Sequence, residues 1–122
     1  PGNKGEDSDA VGTYTHVVLE DMAPRGATPG YVETCVSLPH HKRPASCSKY
    51  DDPVCILRFN LYGHPLAGLY WEIHCSSVII DAGFEKINGW ECLFVHRKEQ
   101  LFLSAYVDDF KMAGNKQNIA NM

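Results

Sequence analysis

The sequence predicts an α+β domain built on an antiparallel sheet. Three observations carry that expectation. One long helical pattern begins after residue 65, two apolar runs joined by a short polar turn follow it, and strand-like segments separated by Pro- and Gly-rich loops precede it. The chain has 122 residues, enough for one domain at most and possibly only part of one. With 44% apolar and 11% aromatic residues it can bury a core and does not read as disordered.

The first eight residues are polar and without periodicity, and they predict no regular element. Residues 10–19, rich in Val, Thr and Tyr, predict a strand with a bend at Gly12. Residues 20–30 carry two prolines and two glycines and read as a loop. A second strand is expected over residues 31–38, stopped by Pro39, and residues 40–53 form another polar loop. Pro53 then opens an apolar stretch over residues 54–59.

Pro65 suits the first turn of a helix, where its missing N–H is not needed. Leu66, Leu69, Tyr70, Ile73, Ser77 and Ile80 recur at helical spacing, which predicts a helix over 66–82 with those residues on the buried face. Gly83 fits a left-handed C-terminal cap, with Phe84 folding back onto the helix. Strands are expected over 92–97 and 100–107 around a tight Lys98-Glu99 turn. A third strand, 110–113, follows the Asp108-Asp109 corner and ends at Gly114, and the tail beyond it reads as frayed.

The net charge of −4 gives no overall footprint for nucleic acid. Local basic residues exist at Arg25, His40-His41-Lys42-Arg43, Lys49 and Arg58, though the His-His-Lys-Arg run reads first as a solvated loop. The five cysteines are odd in number and form no CxxC pair, which suits a reduced, intracellular protein. Cys75 and Cys92 read as small core residues, and His74 and His96 as surface or partly buried ones. No apolar run approaches the roughly 18 residues a membrane span requires, so no membrane partner is expected.

The chemistry concentrates at one corner. Adjacent carboxylates at Asp108 and Asp109, set between apolar strands, repel each other, and a hard divalent ion relieves that repulsion. An Asp-Asp pair in a turn is common and identifies nothing alone. A small zinc site from Cys35, His40, His41, Cys47 and Cys55 is an alternative, against which stands the lack of paired ligands two to four residues apart.

The surrounding residues narrow the choice. Tyr106-Val107-Asp108-Asp109 resembles the Tyr-x-Asp-Asp box of reverse transcriptases, and the stretch from Leu103 to Gly114 is similar to the copia-type retrotransposon form. Val54-Cys55-Ile56-Leu57 and Leu61-Tyr62-Gly63 resemble that family's Val-x-x-Leu and Leu-Tyr-Gly, Trp71 falls where it has Trp, and Gly83-Phe84 and Cys92-Leu93-Phe94-Val95 follow in order. Upstream, Asp9 with Tyr14 five residues later is similar to its Asp-x-x-x-Ala-aromatic motif, with Thr13 in place of Ala. Glu33-Thr34-Cys35-Val36-Ser37-Leu38-Pro39 resembles its Val-x-x-Pro ending. One departure is clear: His64-Pro65-Leu66 stands where the family has Leu-Lys-Gln, so the role of the Gln does not pass to Leu66.

The resemblance implies part of a reverse-transcriptase palm: an antiparallel sheet with a Tyr-Val-Asp-Asp hairpin backed by one main helix, together with part of the fingers. In those terms 1–19 is the first-Asp segment, 20–60 fingers-like, 61–114 the palm helix and hairpin, and 115–122 a tail. It implies RNA-directed DNA polymerase activity through two Mg²⁺ or Mn²⁺ ions held by Asp9, Asp108 and Asp109. Tyr14 would act as a gate against the 2′-hydroxyl, and Tyr106 would lie at the substrate. The implied partners are an RNA or DNA template with primer, deoxynucleoside triphosphates, and the integrase and ribonuclease H of a Pol polyprotein. The implied setting is the cytoplasm, a virus-like particle or the nucleus. The chain is expected to be a fragment or a decayed copy, inactive in isolation, and an inactive remnant is the main alternative to a working polymerase.

Overall fold

The computed structural model describes residues 2–22 and 34–121. It is a small mixed α+β domain. Among the described residues, five strands make one antiparallel sheet in the order β1-β7-β6-β5-β4: β1 (Asn3–Asp9), β4 (Glu85–Lys86), β5 (Leu93–His96), β6 (Leu101–Tyr106) and β7 (Asp109–Asn115). The short strands β2 (Cys35–Ser37) and β3 (Val54–Ile56) pair separately, and the main helix is α2 (Ala67–Asp81). Short helices α1 (Leu19–Met22) and α3 (Lys116–Ile119) and three 3₁₀ turns, at Thr13–His16, His40–Lys42 and Ala45–Lys49, complete the described elements. The strand expected over 31–38 is described only from residue 34 on, and Arg25 and most of the loop 20–30 lie outside the described residues.

The N-terminal half departs from expectation. The polar opening segment is a strand, β1, which pairs along its whole length with β7 from Asn3↔Asn115 to Asp9↔Asp109. Every β1 residue is exposed, so its side chains carry no period-two signal, and the strand is defined by its backbone pairing. Residues 10–19, expected as a strand, instead form a turn at Gly12 (φ +68°), a 3₁₀ turn at Thr13–His16 and the start of α1. Their apolar character reflects close packing: Thr13, Val17 and Leu19 are almost fully buried, and the Thr13 hydroxyl donates to the Ala10 carbonyl at 2.7 Å.

Helix α2 falls within one residue of the expected ends. Leu66 is its N-terminal boundary, and Pro65 lies in the preceding turn. At the other end Gly83 (φ +96°) donates to the Ile80 carbonyl and Phe84 donates to that of Ile79, the pairing of a Schellman cap, with Phe84 buried. The buried face, however, is rotated from the expected one. Tyr70, Trp71, Cys75 and Ile79 are buried in one cluster with Phe94, Leu101 and Leu103, and Ala67 is buried as well, while Leu69 and Ile80 are 43% and 50% exposed and Ile73 packs at the margin. The helix bears apolar residues around most of its circumference, so spacing alone fits more than one face.

Asn60 ties the halves together. It is fully buried, its side chain donates to the Ala67 carbonyl at 2.9 Å, and its own N–H donates to the Val17 carbonyl at 2.9 Å. Gly114 does not end β7. A Cβ there would come within 2.6 Å of the Leu101 side chain and 2.7 Å of the Gln100 carbonyl oxygen, so the glycine is what lets the two strands cross closely. Nor is the tail frayed: Asn115 caps α3, and Ile119 joins the core.

Candidate metal centre

Three carboxylates converge at one end of the sheet. Asp9 is the last residue of β1 and lies directly opposite Asp109, the first residue of β7. Asp108 occupies the second position of the two-residue loop that joins Tyr106 to Asp109. One carboxylate oxygen from each of Asp9, Asp108 and Asp109 lies within 4.8 Å of the others. All three are exposed, and among the described residues none makes a salt bridge. Asp7, two residues earlier on β1, lies opposite Lys111, with 4.0 Å between their charged atoms.

The loop is held from two sides. The Ala10 N–H donates to the Asp108 carbonyl at 2.9 Å, and the Trp71 indole N–H donates to the Val107 carbonyl at 2.6 Å. Val107 has φ +54°, in the left-handed region that a β-branched residue rarely enters. A positive φ at the first loop position alone is the pattern of a type II′ turn, where glycine is usual.

No protein-family model, curated protein or solved structure matches this chain.

Tyr14 and Tyr106 line one cavity of about 280 Å³ on the helix side of the hairpin, together with Trp71, Cys75, Phe94 and Val107. The Tyr14 ring packs on Tyr62, with centroids 4.5 Å apart, a contact that reading along the chain could not supply. His64, in the departing His64-Pro65-Leu66 segment, accepts the Leu66 N–H on Nδ1 at 3.1 Å, so this segment organises the start of α2.

The zinc alternative is not supported. Among the described residues the Asp triad is the only group of three or more His, Cys, Asp or Glu side chains close enough to share an ion, and Cys35, His40, His41, Cys47 and Cys55 do not converge. Arg43, the last of the basic run, is committed to its own loop, donating to the Leu38 carbonyl and to Asp52. Cys75 is buried, as expected, and burial pushes its thiol up, but Cys92 is exposed. No helix among the described residues is long and apolar enough to cross a membrane.

Proposed function

We propose that this chain is part of the palm of an RNA-directed DNA polymerase of the copia-type retrotransposon kind, with Asp9, Asp108 and Asp109 as ligands for two divalent ions. The observation that carries the reading is the meeting of Asp9 with Asp108 and Asp109 from opposite ends of the chain, their oxygens within 4.8 Å. A purely carboxylate, solvent-facing donor set suits Mg²⁺ or Mn²⁺, which prefer hard oxygen ligands and keep positions for phosphate oxygens. When bound, two such ions activate a primer 3′-hydroxyl and offset charge on the departing pyrophosphate.

The chain's own residues supply position. Pairing of β1 with β7 fixes Asp9 against Asp109, and the clamped loop fixes Asp108. Tyr14, braced by Tyr62, is the residue assigned to exclude a 2′-hydroxyl, and Tyr106 is assigned to the substrate. The expected partners are a primed RNA or DNA template, deoxynucleoside triphosphates and the remaining Pol domains, in an intracellular setting. A folded but inactive remnant is the second reading, favoured by Leu66 standing at the head of α2 where a template-positioning Gln is expected.

The test is binding of a fluorescent deoxynucleoside triphosphate. Binding should require Mn²⁺, disappear in Asp108→Asn, and exceed that of the ribonucleotide until Tyr14 is changed to Ala. Binding that is indifferent to Mn²⁺ and to Asp108→Asn contradicts the proposal.

A further inference from the structure

We infer that Trp71 is the positioning residue of the acidic corner, setting the geometry of Asp108 and Asp109 through the carbonyl of Val107. The inference rests on the metal-site reading for its consequence, but its structural basis is independent of it. A two-residue hairpin loop ordinarily turns its carbonyls to water. Here both are engaged by groups outside the hairpin: Val107 by the Trp71 indole at 2.6 Å and Asp108 by the Ala10 amide at 2.9 Å.

The need for such a clamp lies in Val107 itself. Its φ of +54° is a conformation a β-branched residue holds only where its surroundings over-determine it. Release of the carbonyl lets Val107 relax toward negative φ, which turns the following peptide and moves the Asp108 carboxylate away from Asp9. Trp71 can hold the loop because it is itself fixed. It is 8% exposed, it projects from the buried face of α2, and its neighbours in the core include Tyr70, Cys75 and Phe94. The indole thus links the helix behind the sheet to the hairpin tip. Trp71 touches no reacting atom on this account and acts only through the loop.

Trp71→Phe keeps an aromatic ring and removes the N–H, so it separates packing from the hydrogen bond. Expected results are near-native amide protection in α2, faster exchange at Val107, Asp108 and Asp109, and about tenfold weaker Mn²⁺ binding. Unchanged Mn²⁺ affinity and unchanged exchange at the loop in a folded Trp71→Phe protein overturn the inference. Should the variant not fold, the unaltered chain decides it. The chain has two tryptophans, and Trp90 is 64% exposed, so the Trp71 indole N–H must exchange far more slowly than that of Trp90; equal rates overturn the clamp. If the unaltered chain binds no Mn²⁺, the metal reading fails while the exchange rates still decide the clamp.

Discussion

Asp9 and Asp109 stand directly opposite each other at the last pair of the β1–β7 ladder, two exposed acids with which no Lys or Arg among the described residues forms a salt bridge. Like charges at a cross-strand pair oppose the pairing. Asp9→Asn should therefore stabilise the metal-free protein by about 0.2–1 kcal/mol in urea unfolding. The same substitution should remove the stabilisation that added Mg²⁺ or Mn²⁺ gives the unaltered chain. A site whose repair strengthens the fold while abolishing ion linkage is one kept for a ligand rather than for stability.

Gly114→Ala should be clearly destabilising, because Gly114 is paired on both sides, with Lys4 of β1 and Leu101 of β6. The added methyl meets the Gln100 carbonyl, a backbone atom that cannot swing aside, as well as the Leu101 side chain. A loss of about 1–3 kcal/mol is expected from such overpacking, measured by chemical denaturation.

The rotated face of α2 gives a paired prediction. Ile79→Ala, at a buried position, should cost about 2–5 kcal/mol, whereas Ile80→Ala, half exposed, should change stability by only about 0.5 kcal/mol. The reverse order in denaturation measurements would restore the face that spacing alone suggested.

Cysteine reactivity should follow exposure. Cys35 and Cys92 are exposed and should be alkylated first at mildly alkaline pH, while Cys75, whose thiol burial pushes up, should react last. Peptide mapping of a timed alkylation reads the order directly.

The sequence was informative where a local rule and the fold agreed. The Gly83-Phe84 cap, the ends of α2 and the Asp108-Asp109 corner each have short-range signatures, and all appear where those signatures put them. Strand β1 had none, because a strand exposed on both faces has no apolar alternation and is defined only by its partner. Residues 10–19 misled for the opposite reason: Val17 and Leu19 are apolar because a turn buries them against α2 and the sheet. Gly114 read as a terminator because its function, close approach to Leu101, exists only in three dimensions. At the site, the acids were legible as residue types, and the five-residue distance from Asp9 to Tyr14 marked Asp9. The Trp71–Val107 hydrogen bond and the Tyr14–Tyr62 contact depend on packing between elements far apart in the chain.

The central claim is that Asp9, Asp108 and Asp109 form one divalent-ion site, and Mn²⁺ titration followed by paramagnetic broadening of amide resonances tests it most directly. The account predicts broadening that starts together at residues 9–10 and 107–109, is displaced by Mg²⁺, and is lost in Asp108→Asn. Broadening that begins at another acidic surface such as Asp51 and Asp52, or persists unchanged in Asp108→Asn, would contradict it.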